Sequence, residues 1–329
     1  MRCPRLDELP SPPAGSTGWP WRIETPPLDD VMPDGVRWPA ISIVVASLNQ
    51  SRYIEEMIRS ILLQGYPELE LILIDGGSDQ ETLDIIAKYQ QWFSYWVSES
   101  DRGQSHAFNK GLVRATGALF NIFSTDDLFL PGILGLVAQA HAKHPGNMIV
   151  GDVIFTWEGS TRSEVHRPEE SDLHAYAQWW TMEHHAQPGV FYPRDLLAGV
   201  GYLDEDLHYS MDYEFTLRYL AHAKMSVLRF PVAVIRNHAE CKSVKNGDYC
   251  VWECMQISKT YQRMFPDINA QANRHAAGVL FGFGFRRLLY GQGDAWRFMK
   301  EGLQRHPLWA IYWLLPGWFL RKWSKLKAT

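Results

Sequence analysis

The sequence predicts an α/β protein in which helices flank a mostly parallel sheet. From Ile41 onward, short apolar runs alternate with segments whose apolar residues recur at helical spacing. This alternation is typical of parallel strands joined by right-handed helical crossovers. In addition, each of the first four apolar runs ends in a cluster of polar residues, and the carboxyl ends of strands are where open α/β sheets hold their ligands.

The strands of the first half are predicted from short apolar runs bounded by polar or turn residues, the pattern of strands buried in a sheet. These runs are residues 41–46, 69–74, 96–99 and 118–123. Between them, apolar residues at helical spacing predict helices at residues 54–62, 80–91 and 105–114. Gly65 and Pro67 end the first of these helices.

The second half of the chain is less regular. Its predicted strands are residues 148–155, 189–192 and 231–235, with a loop or exposed hairpin at 158–170. A helix is predicted at 211–220, and a C-terminal helical region follows at 247–268, 270–290 and 294–304. Residues 1–39 contain nine prolines and no periodic apolar pattern, so we expect an extended segment that lies on a surface or is disordered.

Composition limits the class of function. The chain of 329 residues can hold one large domain or two ordinary ones. Its formal charge of -5 argues against a nucleic-acid binder that neutralises phosphates, and no nucleic-acid partner is expected. Four cysteines are too few for a disulfide framework, and no signal-peptide pattern is visible, so a reducing, cytoplasmic location is expected.

The C-terminal tail differs in composition from the rest of the chain. Its apolar run, residues 308–320, is interrupted by Pro316 and Gly317 and is shorter than the ~20 residues that span a bilayer. Tryptophan next to lysine and arginine, as in residues 318–327, is typical of a segment that lies on an anionic membrane surface. The tail therefore predicts peripheral contact with the inner face of the plasma membrane, with a helix on the core or in a dimer interface as the alternative.

Polar clusters follow the first four strands, and they should meet at one edge of the sheet. The clusters are Ser47 and Asn49, then Asp75, then Asp101 and Arg102, and finally Asp126 and Asp127. The adjacent acids Asp126 and Asp127 repel each other unless a cation lies beside them, so a divalent metal that binds substrate phosphates is one interpretation. The other is a helix start, with Ser124 or Thr125 as its cap. The chain contains neither a P-loop nor a Gly-x-Gly-x-x-Gly motif after the first strand.

Together these motifs resemble those of family 2 glycosyltransferases with the GT-A fold. The matching segments are residues 41–50, 73–79, 98–103, 124–127, 187–191, 201–206, 211–218 and 236–238, in order over about residues 40–245. The resemblance implies a Rossmann-like GT-A sheet, with residues 40–150 as the nucleotide-binding half and residues 151–245 as the acceptor half. It also implies inverting transfer of a sugar from a nucleotide diphosphate sugar (UDP-, GDP- or dTDP-linked) to a saccharide or lipid-linked acceptor, as in the assembly of cell-surface polysaccharide or glycolipid.

Roles for individual residues follow from the resemblance. Asp75 would hold the nucleobase, and Ser47 and Asn49 would line the nucleotide pocket together with Asp101 and Arg102. Asp126 would bind Mg²⁺ or Mn²⁺. Many relatives have an acid where this chain has Ser124, so Asp127 is a further candidate metal ligand.

Two residues of the second half complete the predicted site. Asp212, at the start of the helix 211–220, is the candidate base that takes the acceptor's proton, and its alternative is an acid that complements the helix dipole. His238 would lie near the diphosphate or the metal. His238, Cys241, Cys250 and Cys254 could form a zinc site, but their spacing is off the common Cys-x-x-Cys pattern, which favours buried thiols instead. The remaining alternative function is a non-catalytic GT-A module that binds a nucleotide sugar or a protein partner.

Overall fold

A computed structural model describes residues 1–181, 185–291 and 293–312 of the chain. Its backbone divides into two compact units. The first comprises residues 1–173 and 184–245, and the second comprises residues 174–183 and those from 246 to the C-terminus.

The first unit is built on one mixed sheet, which among the described residues has nine strands. They are β1 (Ile41–Ser47), β2 (Leu69–Asp75), β3 (Tyr95–Ser98), β4 (Leu119–Ser124), β5 (Leu128–Phe129), β6 (Met148–Trp157), β7 (Ser163–His166), β8 (Val190–Pro193) and β9 (Met225–Asn237). The strand order is β3-β2-β1-β4-β8-β6-β9-β5, with β7 paired to β6. The first four strands in this order are parallel, as is the pair β6–β9, and the other pairs are antiparallel.

The helices of the first unit flank this sheet, and those of the second unit follow it in the chain. They are α1 (Ile54–Leu62), α2 (Gln80–Tyr89), α3 (Gln104–Leu112), α4 (Ile133–Lys143), α5 (Leu173–Tyr176), α6 (Leu197–Val200), α7 (Met211–Leu220), α8 (Lys242–Gln262), α9 (Pro266–Leu289), α10 (Ala295–Arg305) and α11 (Pro307–Tyr312). The predicted α/β architecture with C-terminal helices is confirmed.

Several boundaries differ from the prediction, each for a local reason. The predicted helix 247–268 was wrong at both ends, because α8 begins at Lys242 and the helix cannot run through Pro266, which instead begins α9. Strand β9 is longer than the predicted 231–235, because a bulge in its pairing with β6 opposite Asp152 accommodates Pro231 inside the strand. The strand β5 and the helix α4 were not predicted. The segment 158–170 includes β7 and forms a hairpin with β6.

The N-terminal segment, residues 1–39, packs on the first unit. Its side chains Cys3, Leu9, Met32 and Trp38 are buried in the same core as the strands of the parallel sheet. The backbone N–H of Cys3 donates to the carbonyl of Tyr66, 2.8 Å away. The segment is therefore part of the folded core of this unit.

Arg59, a fully buried residue of α1, binds the backbone of this segment. Its guanidinium donates to the carbonyls of Pro10 (2.9 Å), Pro20 (3.2 Å) and Trp21 (3.3 Å) and to the Tyr89 hydroxyl (3.1 Å). A buried charge is tolerated only when such partners satisfy it. Arg59 thus links the proline-rich segment, which has few backbone donors of its own, to the first helix of the fold.

The second unit packs α9 against α10 through glycines. A Cβ on Gly284 would lie 2.5 Å from the carbonyl oxygen of Ala295, and a Cβ on Gly302 would lie 2.7 Å from that of Ala277. Neither contact leaves room for a larger residue. Among the described residues, none of the helices has the length and apolar character needed to cross a membrane. The predicted membrane-contacting tail lies outside the described residues from position 313 onward.

Replacing Arg59 with leucine should destabilise the first unit. The change leaves one buried and two partly buried carbonyls without their donor, so we expect the free energy of unfolding to fall by about 3–5 kcal/mol. Urea denaturation measures this loss, and limited proteolysis should show earlier cleavage within residues 10–21. The exposed helical substitution Lys88→Leu is the matched control and should change stability by less than about 0.5 kcal/mol. Equal stability of Arg59→Leu and the wild type would contradict the role given to Arg59.

Candidate functional site

The register of the parallel strands places the predicted polar residues side by side at one edge of the sheet. Ser47 at the end of β1 lies opposite Asp75 of β2. Asp75 in turn lies opposite Ser98 of β3. On the other side of β1, Ala46 lies opposite Ser124 of β4. The four strands therefore end in one continuous row.

Asp75 is fully buried, and the loop that follows it uses both of its carboxylate oxygens. Oδ2 accepts hydrogen bonds from the backbone N–H groups of Gly77 (3.1 Å) and Ser78 (2.9 Å) and from the Ser98 hydroxyl (2.7 Å). Oδ1 accepts from the Ser78 hydroxyl at 2.5 Å. Asp75 therefore fixes the loop between β2 and α2.

Asn49 joins this loop to the one after β1. Its side-chain oxygen accepts from the backbone N–H of Asp79 at 2.9 Å, and its own N–H donates to the Ser78 hydroxyl at 2.7 Å. Asn49 has a φ of 53°, a left-handed conformation that asparagine tolerates better than most residues. Next to it, the Ser47 hydroxyl is buried and finds no hydrogen-bond partner in the described part of the chain.

The third cluster has two different environments. Asp101 lies directly against the loop after β2, because a Cβ on Gly76 would be 2.5 Å from Asp101 Oδ2. Only glycine allows this approach. Arg102 points elsewhere: its exposed guanidinium forms an ion pair with Glu205 at 2.5 Å. Of the two residues predicted to bind the donor, Asp101 lies beside the loop of Asp75 and Arg102 is held by an acid.

Ser124 at the end of β4 contacts two glutamines. Its hydroxyl lies 3.3 Å from Gln104 Nε2 and 3.4 Å from Gln187 Oε1. Gln104, the first residue of α3, also accepts a hydrogen bond from Lys242 Nζ at 3.1 Å. The end of β4 is thus connected to α3, to the segment before β8 and to the start of α8.

Asp126 is contacted by two residues that follow β9, His238 and Cys241. His238 Nε2 lies 3.2 Å from its Oδ2, and Cys241 Sγ lies 3.7 Å from the same oxygen. The ligand atoms of these three residues all lie within 4.8 Å of one another. A carboxylate oxygen, an imidazole nitrogen and a sulfur so placed fit the donor set of a divalent cation.

Asp127 has a different environment from its neighbour. It is buried, and burial together with the negative charge of Asp126 raises the pKa of Asp127 well above its usual range. Its backbone N–H donates to the carbonyl of Ser124 at 3.3 Å and closes a tight turn. Asp127 is not among the three converging donors. Asp126 is therefore the carboxylate that the turn presents to a ligand.

Arg236 and Tyr53 hold the Asp126 turn in place. Arg236 Nε donates to the backbone carbonyl of Asp126 at 2.5 Å, and its Nη1 forms an ion pair with Glu56 of α1. The ring of Tyr53 lies 4.7 Å from the Arg236 guanidinium and 4.8 Å from the His238 ring. Arg236 and His238, the residue directly after β9, thus lie on one side of the chain, as expected for residues two positions apart on an extended backbone.

Asp212 is the second residue of α7, and it is half-buried. Its Oδ1 accepts from the backbone N–H of Tyr213 at 2.9 Å. The start of α7 is tied to α3 because the Ser105 hydroxyl bonds the carbonyl of Leu207 (3.2 Å) and the sulfur of Met211 (2.9 Å). Ser105 is adjacent to Gln104, which contacts Ser124. The start of α3 therefore contacts both the C-terminal end of β4 and the N-terminal end of α7. Farther along α7, Glu214 and Arg218 form an ion pair one helical turn apart, with Arg218 Nε 2.8 Å from Glu214 Oε1.

Sequence reasoning missed several residues that shape this site. Gln104, Tyr53 and Lys242 carried no signal of their own, and only the position of Gln104 directly after the Asp101-Arg102-Gly103 motif could have indicated it. Cys241 belongs to the alternative zinc motif with His238, Cys250 and Cys254. In the first unit it lies instead next to Asp126, a residue 115 positions away in the chain.

Comparison with known proteins agrees with this architecture. Residues 42–197 match the family model described as Glycosyl transferase family 2. A PGL/p-HBAD biosynthesis glycosyltransferase from Mycobacterium tuberculosis is 28% identical over 218 residues, which are 63% of this chain and 80% of that protein. An uncharacterised glycosyltransferase from the same organism is 29% identical over 184 residues, which are 55% of this chain and 68% of that protein.

Solved structures of similar proteins have the same fold. The S. aureus TarS fragment 1–349, in complex with UDP-GlcNAc, matches with a TM-score of 0.60 at 18% identity, over 80% of this chain and 79% of that one. The mannosyltransferase PcManGT from Pyrobaculum calidifontis, in complex with GDP-Man and Mn²⁺, matches with a TM-score of 0.51 at 15% identity, over 85% and 88% of the two chains. The predicted fold class is thereby confirmed.

Removing the carboxylate of Asp75 should loosen the loop after β2. In Asp75→Ala, four hydrogen bonds lose their buried acceptor, so we expect the free energy of unfolding to fall by about 3–5 kcal/mol. Asp75→Asn keeps one acceptor oxygen, so its free energy of unfolding should lie between those of Asp75→Ala and the wild type. Urea denaturation gives the loss, and hydrogen exchange should become faster at residues 76–79. Asp84→Ala, on the exposed side of α2, is the control. Unchanged exchange in the loop of Asp75→Ala would refute this role.

Proposed function

The chain belongs to glycosyl transferase family 2, and on this premise we propose that it transfers a sugar from a nucleotide diphosphate sugar to an acceptor hydroxyl with inversion at the anomeric carbon. The observation that carries the proposal is the single carboxylate of Asp126, presented at the carboxyl end of the parallel sheet and faced by His238 at 3.2 Å. A donor diphosphate needs such a position, where a cation and an imidazole can share its charge.

The nucleoside of the donor would lie over the loops after β1 and β2. Ser47 and Asn49 would line this pocket, and the unpartnered Ser47 hydroxyl is a polar group that a buried ligand would satisfy. The base would donate a hydrogen bond to Asp75 in place of the hydroxyl of Ser78 or Ser98, and Asp101 would lie beside the base. Similar proteins are described as complexes with UDP-GlcNAc and with GDP-Man, which supports a UDP-, GDP- or dTDP-linked donor for this chain.

A divalent cation, Mg²⁺ or Mn²⁺, would be held by Asp126 and His238, with Ser124 near the diphosphate. When bound, the cation would neutralise the charge that develops on the leaving diphosphate. PcManGT is described with Mn²⁺ bound, which supports metal dependence in this chain. The burial of Asp127 favours a structural role for that acid, so we assign the metal to Asp126 first.

The base of the reaction would be Asp212. As the acceptor oxygen forms its bond to the anomeric carbon, its proton would pass to the Asp212 carboxylate, and the bond from that carbon to the phosphate oxygen would break. The electron pair of that bond leaves with the nucleotide diphosphate. Attack from the face opposite the leaving group inverts the configuration. His238 and the cationic Arg236 lie on the side of Asp126 and would stabilise the leaving group's charge.

The acceptor would be a saccharide or a lipid-linked molecule in cell-surface glycolipid or polysaccharide assembly. A relative is described as a PGL/p-HBAD biosynthesis glycosyltransferase, which supports a glycolipid class of product. The basic, tryptophan-rich tail after residue 313 would bring the cytoplasmic enzyme to the membrane surface where such acceptors reside.

Replacing Asp212 with asparagine should remove the base and keep the fold. We expect the rate constant for sugar transfer to fall by about 10²–10⁴, the usual contribution of a positioned base, with the donor KM nearly unchanged. A transfer assay with purified nucleotide sugars and a candidate acceptor measures both. Asp206→Asn, a change at an exposed acid in the preceding loop, is the matched control. Full turnover by Asp212→Asn would reject the assignment.

A bound donor nucleotide should stabilise the folded protein less in the absence of a divalent cation than in its presence. A nucleoside diphosphate at about 100 times its Kd should stabilise the wild type by ~2.7 kcal/mol. We expect Mn²⁺ to increase this gain in the wild type, and we expect Asp126→Asn to lose the increase that Mn²⁺ provides. Thermal unfolding with UDP, GDP and dTDP, each with and without Mn²⁺, measures the shift. Identical shifts with and without Mn²⁺ in the wild type would contradict a metal at Asp126.

A further inference from the structure

Cys241 brings a sulfur into the site that holds Asp126 and His238. Its Sγ lies 3.7 Å from Asp126 Oδ2, and it accepts from the backbone N–H of His238 at 3.4 Å. The sulfur lies in a tight turn between β9 and α8, in which the N–H of Cys241 donates to the carbonyl of His238. The thiol and the imidazole therefore reach Asp126 from one short segment.

The spacing of these ligand atoms corresponds to that around a bound metal ion. In a tetrahedral zinc site, with bonds of ~2.0 Å to oxygen and nitrogen and ~2.3 Å to sulfur, an oxygen and a nitrogen lie ~3.3 Å apart and an oxygen and a sulfur ~3.5 Å apart. The observed separations from Asp126 Oδ2 are 3.2 Å to His238 Nε2 and 3.7 Å to Cys241 Sγ. The two distances from Asp126 thus match two edges of such a polyhedron, and all three ligand atoms lie within 4.8 Å of one another.

We propose that Cys241 is a third protein ligand of the cation site, and that its thiolate gives this glycosyltransferase a preference for thiophilic divalent cations such as Zn²⁺ or Co²⁺ over Mg²⁺. The inference rests on the proposed function for the fourth position, which a donor phosphate oxygen would occupy. Three protein ligands with one open position are the usual arrangement of catalytic zinc sites.

The sulfur decides the selectivity. Mg²⁺ binds oxygen ligands and keeps most of its water, whereas thiolate and imidazole ligands favour the later transition metals and zinc. On binding, the thiol of Cys241 gives its proton to solvent and its sulfur forms a bond to the cation. No oxidant or reductant takes part in this exchange.

Coordination needs two small rearrangements. The hydrogen bond of 3.2 Å from the Cys241 thiol to the carbonyl of Arg236 is lost with the thiol proton, and the ring proton of His238 must move. His238 Nδ1 accepts a hydrogen bond of 3.3 Å from the backbone N–H of Glu240, so the ring proton lies on Nε2. Binding through Nε2 moves that proton to Nδ1, and the long bond from Glu240 must open. Glu240 is exposed, so water can accept from its freed N–H. The side chain of Asp126 is 25% exposed, which leaves the cation a route of entry.

Titration of the full-length protein with Co²⁺ tests the proposal directly. A thiolate bound to Co²⁺ gives a sulfur-to-metal charge-transfer absorption in the near ultraviolet, and we expect it to saturate at one Co²⁺ per chain. In Cys241→Ser the band should disappear, and the preference for Co²⁺ over Mg²⁺, measured by competition, should fall by about tenfold or more. Cys250→Ser is the matched control and should keep both the band and the preference.

Three results would overturn the proposal: no band in the wild type, a band that persists in Cys241→Ser, or equal loss of the band in Cys250→Ser. If Cys241→Ser does not fold, ¹¹³Cd NMR of the wild type decides, because a cadmium with a sulfur ligand resonates far downfield of one bound by oxygen and nitrogen alone. Sugar transfer is assayed separately. A protein with the band and no transfer would refute the proposed function alone, and transfer with Mg²⁺ but no band would refute Cys241 as a ligand alone.

Discussion

The register of the parallel strands β1, β2 and β4 is the constraint on which the rest of the site depends. It places Ser47 beside Asp75, and Ala46 beside Ser124, so that three chain segments leave the sheet at the same level. A slip of one residue would turn Asp75 to the opposite face and bury or expose the wrong neighbours. The hydrophobic strand interiors, which are buried throughout, oppose such a slip. The geometry of the polar edge is therefore a consequence of core packing.

Contacts from the end of β9 join the other half of the sheet to this edge. Strand β9 reaches across the chain to Asp126, whose backbone carbonyl and side chain are contacted by Arg236 and His238, 110 and 112 positions away. Because Arg236 also pairs with Glu56 of α1, one guanidinium connects the first helix, the acidic turn and the last strand. The pair is partly buried, so removing either partner would leave the other charge without its counter-charge. The position of Asp126 is thus fixed by Arg236, which is itself held by Glu56 of α1, and by His238.

The parts of the structure that the sequence could predict are those encoded by neighbouring residues. The strands from Ile41 to Ser124 and the helix at Asp212 follow from periodicity within short windows, and they lie where predicted. Arg59 and Cys241 could not be assigned in this way, because their partners lie far along the chain and no spacing connects them. The left-handed conformation of Asn49 is also invisible to periodicity, since it depends on the loop across from it.

Asp126 and Asp127, the adjacent acids that follow β4, lie in different environments in the folded protein. The turn from Ser124 to Asp127 directs Asp127 into the interior, where burial and the charge of Asp126 raise its pKa, while Asp126 stays partly exposed. One carboxylate alone is a weak cation ligand set, and Ser124, which contacts two glutamines, adds little to it. On the proposal made above, further ligands would come from the opposite side, where the turn after β9 carries the imidazole of His238 and the sulfur of Cys241. On that proposal, a sulfur ligand where a second carboxylate would otherwise bind changes the kind of cation that the site favours.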